Sequence, residues 1–488
     1  MKDTRLIRLI RTFSREELKS FGKFLESPFL KPKRNTFDLY EYIIKFYPEY
    51  DSSKLKKENV FGKLFPGEKY FEGKLNNLIF ELSKAAENFL AYKTLMEDET
   101  EYLLNLSKGY LSKNLSGESN RINKMIEKKL KPGFSQSKNY VSKFRWLTYL
   151  KNAYYTEHND IENVIECTKN YFEASAIQFI VDYTEIVGAM KPAFNTYGKN
   201  VENNFIQAIL RSFDIEKLHK LIEENEHTLT PIISLYYYKL KAEDDPDNSG
   251  YYYSLKDSFY RIIPKLDREE KYRIFSELAN YCVQKSVKKN EEFKKEGLKI
   301  YQEMMANNAY SFSENEYMLV AVFRNIIQFC ISVNEVKWFE YFIENYTDCL
   351  KPEYRKDLRH YSFAHLYFMK KDFEKSLVMI SEIDYEFFLF KPDFKNLMLK
   401  IYYELGHYEQ AFSMVDTYRH FLANTKEISK TFKKYYNNYL SFYYILLKIR
   451  SGQSKESPLF LKSKIEKENE IINKAWLLEK VKEISRKK

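Results

Sequence analysis

Glycine and proline are scarce in this chain, at 13 and 12 among 488 residues. Strands joined by tight turns need both, and helices avoid both. A chain this poor in them is read as mostly helix. Cysteine is scarcer still. Cys167, Cys282, Cys330 and Cys349 form no Cys-x-x-Cys pair and no regular spacing, so they read as reduced, mostly buried thiols. Long apolar runs are also missing. Stretches such as Tyr439 to Leu447 fall well short of the ~20 residues of a membrane span. The opening segment MKDTRLIRLIRTFSREEL interleaves charge with apolar residues, where a signal peptide keeps an uncharged run. The expectation is a cytoplasmic protein with no membrane span.

Sequence patterns of catalysis are absent as well. There is no His-Glu-x-x-His, no Gly-x-Ser-x-Gly and no Walker-type glycine-rich loop. His360 and His365 stand five apart, which does not bring two ligands to one helical face as a spacing of four does. The expectation is a chain that is not an enzyme, with no catalytic residues, no metal and no cofactor.

What is present is charge at the ends and apolar periodicity throughout. Residues 1–34 hold ten Lys/Arg against four Asp/Glu, and residues 448–488 hold twelve against six, out of a net charge of +10. The body between them is close to neutral. Near the N-terminus, Leu6, Leu9, Ile10 and Phe13 share one side of a helical projection. Arg5, Arg8, Arg11 and Arg15 fall on the other side, at about 140°, 80°, 20° and 60°. That basic face is a candidate for phosphates or an acidic partner, and the plain alternative is a solvated helix surface.

Ser14 and Glu17 have the spacing of a capping box and start a helix from Arg15 to about Leu25, which Ser27-Pro28 ends. A third helix is expected over Thr36 to Tyr47. Ser53 to Phe65, the Pro66-Gly67 turn and a long helix from about Glu68 to Leu95 follow. These segments are read as a small helical N-terminal domain over 1–106. From Ser135 onward, apolar-periodic segments alternate with short polar gaps. Helix pairs are expected at about 231–241 with 251–263, 268–285 with 290–306, 314–332 with 335–348, 353–370 with 373–384, and 393–405 with 408–423. A last pair joins 428–449 to a C-terminal capping helix at about 458–485.

Two of these pairs superimpose at an offset of 35. Ala364-His365-Leu366-Tyr367-Phe368-Met369-Lys370-Lys371-Asp372-Phe373-Glu374-Lys375-Ser376 lies over Leu399-Lys400-Ile401-Tyr402-Tyr403-Glu404-Leu405-Gly406-His407-Tyr408-Glu409-Gln410-Ala411. The pattern resembles the tetratricopeptide repeat, whose period is close to ~34 residues, with its best match over 355–425. Ser376 and Ala411 occupy a position that must be small for the two helices to cross closely, while Phe373 and Tyr408 open the second helix. The chain departs from the family at Leu399, Ile383 and Tyr418, which are bulky where small residues are usual.

The resemblance implies an all-α fold over 107–488, an irregular right-handed superhelix of antiparallel helix pairs, or α-solenoid. It also implies a groove lined by the first helix of each pair, which takes a protein or peptide partner. Carried over from the repeat pattern, the groove positions are Tyr361, His365 and Phe368 in one copy and Asn396, Lys400 and Tyr403 in the next. The function so implied is a protein-interaction scaffold. A nucleic-acid-associated regulator using the four N-terminal arginines is the alternative.

Overall fold

Capping chemistry sets the helix boundaries from the first turn of the chain. In the computed structural model, Ser14 accepts a hydrogen bond from the Glu17 amide, and the Glu17 carboxylate accepts one from the Ser14 amide at 2.6 Å. The structure describes residues 1, 4–27, 34–130, 138–197, 214–224, 230–287, 291–314, 316–384, 390–425 and 428–487. These hold 23 α-helices and no strand. They form two compact units, Met1–Ile233 and Ser234–Lys488.

Two hydrophobic clusters of the first unit lie among the described residues. Helices α1 (Arg5–Ile10), α2 (Arg15–Leu25), α3 (Arg34–Ile44), α4 (Lys57–Leu64) and α5 (Glu72–Glu97) surround one of them. Leu6, Phe13, Phe21, Leu39, Phe61, Leu75 and Phe89 fill it. The Phe89 ring lies 5.6 Å from Phe13 and 5.4 Å from Phe21. Helices α6 (Glu99–Leu111), α7 (Ser116–Lys129) and α8 (Lys138–Glu157) build the other, from Leu103, Leu104, Ile122, Ile126, Leu147 and Leu150, and α9 (Ile161–Tyr197) packs on α8. Helix α10 (Ile215–Glu224) follows, and α11 (Thr230–Asp244) crosses into the second unit.

The first hydrophobic cluster ends at Phe89 and the second begins at Leu103. The compact units part much later, between Ile233 and Ser234. Ion pairs tie α6 to its neighbours: Lys129 of α7 reaches Glu99 at 2.6 Å, and Lys143 of α8 reaches Asp98, the residue that ends α5 and caps α6, at 2.6 Å.

In the second unit, helix follows helix in packed pairs. After α12 (Ser249–Ile262) come α13 (Arg268–Val287) and α14 (Glu291–Ala306), then α15 (Val320–Val333) and α16 (Val336–Tyr346). The two similar stretches form α17 (Pro352–Met369) with α18 (Phe373–Ser381), and α19 (Lys391–Leu405) with α20 (Tyr408–Asn424). Helices α17 and α19 pack on one another, as do α15 and α17. The second helices open at Phe373 and Tyr408, the positions expected from the sequence. The turns match too: Lys371 and Gly406, 35 apart in the chain, both adopt the left-handed conformation, at φ 60° and 73°. Gly406 does so without strain because it has no Cβ.

Close packing elsewhere has an equally local cause. Gly297, inside α14, lies so near Phe329 that a Cβ there would sit 2.6 Å from the ring's Cζ.

The C-terminus differs from expectation. Helix α21 (Lys430–Arg450) is followed by two helices, α22 (Pro458–Lys467) and α23 (Lys474–Lys487), where one capping helix over 458–485 was expected. Asn473, at φ 53°, turns the chain between them. The interruption contains neither proline nor glycine, which hid it from the periodicity.

Candidate functional site

The first helices of the second unit share a polar seam. On α19, Asp393, Asn396, Lys400 and Tyr403 recur at spacings of three and four and so lie along one face. Tyr361, His365 and Phe368 do the same on α17. Helix α21 adds Tyr439 and Tyr443, α23 adds Trp476 and Lys480, and α15 adds Arg324.

Contacts join these stripes. Arg324 Nε meets Asp393 Oδ2 at 2.5 Å, linking α15 to α19 across 69 residues of sequence. The Tyr361 and His365 rings meet edge to face at 4.7 Å. Lys400 Nζ donates to Asn473 Oδ1 at 2.8 Å and lies 6.0 Å from the Trp476 ring. Trp476 stacks on Tyr443 and meets Tyr403 edge to face. The Tyr443 hydroxyl donates to the Leu399 carbonyl at 2.6 Å, and Lys480 pairs with Glu404 at 2.8 Å.

All six expected groove residues are thus in or beside the seam, but none of them is exposed. Tyr361, Asn396 and Tyr403 are buried, and His365, Phe368 and Lys400 are half-buried. Phe368 packs at 5.2 Å on Phe373 of α18, within its own pair. Several polar atoms here are buried and form no hydrogen bond among the described residues: His365 Nε2, Asn396 Oδ1, Tyr439 Oη and Trp476 Nε1. A buried polar group without a partner costs about 1–3 kcal/mol. Their accumulation along one seam therefore calls for a reason.

Burial also sets the ionisation states. It pushes His365 down to about 3, with the Lys400 charge acting in the same direction, so the imidazole is neutral. It pulls Lys400 down to about 8, against the carboxylates of Asp393 and Glu479. Tyr361 and Tyr443 are held far above the usual phenol range by their burial. The seam holds the Trp476 indole N–H and the Tyr439 phenol as donors without a partner, the Asn396 Oδ1 as an acceptor without one, and the Lys400 ammonium, which donates to Asn473, with Arg324 already neutralised by Asp393. It suits a ligand that presents carbonyl or carboxylate oxygens.

Sequence reasoning missed Arg324, Asp393, Tyr439 and Trp476. Arg324 was visible as the one charged side chain in the apolar run Val320–Val333. Asp393 was visible one turn before Asn396 on the same stripe.

The four arginines of the N-terminal face do not share one helix. Arg5 and Arg8 lie in α1, Arg11 is its C-cap and Arg15 begins α2. All four are exposed. Arg5 pairs with Glu87 of α5. Arg11 donates to the Glu49 carbonyl at 3.2 Å, and Arg15 lies over the Tyr47 ring. A pocket of about 500 Å³ beside Arg5 is lined by Asn76, Phe80, Ser83 and Lys84.

Among the described residues, no helix is long and apolar enough to cross a membrane. No protein-family model, no curated protein and no solved structure matches the chain.

Proposed function

We propose that the protein is a non-enzymatic interaction scaffold, and that its partner engages the first-helix seam of the second unit. The partner is a protein segment whose backbone or side-chain oxygens accept from Lys400, Trp476 and their neighbours. The observation that carries this reading is the set of buried, unpartnered polar atoms on His365, Asn396, Tyr439 and Trp476. Each such group costs stability unless something supplies its missing hydrogen bond, and a bound partner would. A tetratricopeptide-like arrangement of the helix pairs is part of the proposal, and the matching turns at Lys371 and Gly406 support it.

The test is affinity purification of the tagged protein from its source cells, with and without nuclease, beside two variants. Trp476→Phe removes one N–H and little else. Lys400→Met removes the ammonium and keeps the stem. Both are expected to keep the fold, checked by thermal melting, and to lose the co-purifying protein. Undiminished capture by both variants sinks the seam as the binding surface. Loss of every partner on nuclease treatment moves the assignment to nucleic acid and to Arg5, Arg8, Arg11 and Arg15.

A further inference from the structure

Helix α22 has two sides of opposite character. Leu461 and Ile465 are fully buried in the core shared with α21 and α23, and they fix the helix to the second unit. Leu459 and Phe460 lie about 170° away on a helical projection and are 68% and 55% exposed. They stand side by side in the first turn of the helix, directly after the irregular link of residues 451–457. A single exposed apolar side chain is ordinary. What sets this pair apart is the charge around it.

Residues 448–467 hold six Lys/Arg against two Asp/Glu. Lys455, Lys464 and Lys467 are exposed, and Lys462 is half-buried. On the projection Lys464 and Lys467 fall within about 40° of Phe460, and the Lys464 ammonium stands 4.2 Å from the Phe460 ring. Both carboxylates are engaged locally, Glu456 with Lys464 at 3.1 Å and Glu466 with Lys462 at 3.5 Å. Pairs this open to water hold their partners weakly, and four cations of the segment remain in excess. The first turn of α22 is also the positive end of its dipole. The patch is therefore two protruding apolar side chains inside a positive field.

Area and charge together select the occupant. At ~200 Å² per large side chain the pair offers at most about 400 Å², half of one partner's share of a standard protein interface. A second copy carries the same net charge of +10 and the same basic patch, so it is repelled. A nucleic-acid backbone takes the lysines but gives Leu459 no apolar neighbour. An anionic lipid surface meets both demands, with charged headgroups at the level of the lysines and acyl chains just below. Lysine suits that boundary, because its stem is apolar and its ammonium reaches back to the headgroups. Such a contact lies on the bilayer, not across it.

We propose that the first turn of α22 docks on an anionic lipid bilayer, with Leu459 and Phe460 entering the acyl layer and Lys455, Lys462, Lys464 and Lys467 holding the headgroups. The proposal is independent of the partner seam, because it uses none of the seam's residues. The experiment sediments the full chain with vesicles of phosphatidylcholine alone and of phosphatidylcholine with phosphatidylserine. It compares the wild type with two double variants, Leu459→Ser with Phe460→Ser and Lys464→Glu with Lys467→Glu. A polarity-sensitive dye on Phe460→Cys reports insertion, with dye-treated wild type as the blank. The wild type is expected to bind only the phosphatidylserine vesicles and to leave them as salt rises. Each double variant is expected to bind them at least ~10-fold more weakly, with an unchanged melting temperature. The dye is expected to shift to the blue on the same vesicles. A wild type that leaves anionic vesicles unbound overturns the proposal, whether Leu459 and Phe460 then prove to be covered by another protein or by a second copy. Equal binding to neutral vesicles, undiminished binding by either double variant, or a dye that stays in water overturns it equally.

Discussion

The Ser376 hydroxyl donates to the Ala364 carbonyl oxygen at 2.7 Å, from α18 across to α17, with both residues fully buried. The small side chain lets the helices close, and its hydroxyl then donates to a carbonyl of the facing helix. Ser376→Ala keeps the space and loses one hydrogen bond, so it is expected to cost about 1 kcal/mol. Ser376→Leu forces the helices apart and is expected to cost about 1–3 kcal/mol more. Urea unfolding of the two variants checks the order. Equal losses would show that the crossing is not tight.

Gly297 tests close packing by another route. An alanine in place of glycine inside a helix ordinarily gains about 0.5–1 kcal/mol. Here the new Cβ runs into the Phe329 ring and sits 3.0 Å from Cys282 Cβ. Gly297→Ala is expected to destabilise by about 1–3 kcal/mol, and adding Phe329→Leu is expected to return part of the loss. A single variant more stable than the wild type would refute the packing argument.

Arg324 and Asp393 fasten α15 to α19. The Asp393 side chain is only 14% exposed, so removing its cation strands a largely buried carboxylate. Arg324→Met is expected to lower stability by about 2 kcal/mol, a modest figure because the guanidinium itself is partly in water. The double variant Arg324→Met, Asp393→Leu is expected to recover most of it. Chemical denaturation of both chains decides.

Two bases in the seam give opposite pH windows. His365 is held at about 3 in the folded chain, against ~6.5 when unfolded. The unfolded chain therefore binds the extra proton, and stability falls as pH drops from ~6.5 towards 3. His365→Gln is expected to flatten that slope. Lys400 is held at about 8, against ~10.4 when unfolded. It therefore weakens the fold at neutral pH, and that cost fades as pH rises from 8 towards ~10.4. Lys400→Met is expected to melt higher than the wild type at neutral pH, with the gap narrowing in alkali. Melting curves across pH read both.

Local chemistry made much of this architecture legible. Asp372, Phe373, Gly406 and Tyr408 announced their turns by residue type, and the helices begin and end where those residues stand. The repeat resemblance pointed to the stripe through Tyr361 and His365, but a stripe does not say whether water or a third helix covers it. Only the arrival of α21 and α23, distant in sequence, buries Tyr403 and half-buries Lys400. Helix α9 shows the same limit from the other side: apolar residues at 161, 165, 172 and 179 look like core until the fold leaves them outside. Arg5 and Arg15 fell on one projection because the wheel runs straight through the cap at Arg11, whereas the chain turns there.

Tyr361, Tyr439 and Tyr443 keep their protons far into alkali because their phenols are sealed inside the second unit. Their ionisation must wait for that unit to open. In a slow alkaline titration, the late rise in phenolate absorbance then marks the melting of Ser234–Lys488, without any added dye. The chain carries an optical gauge of its own second half.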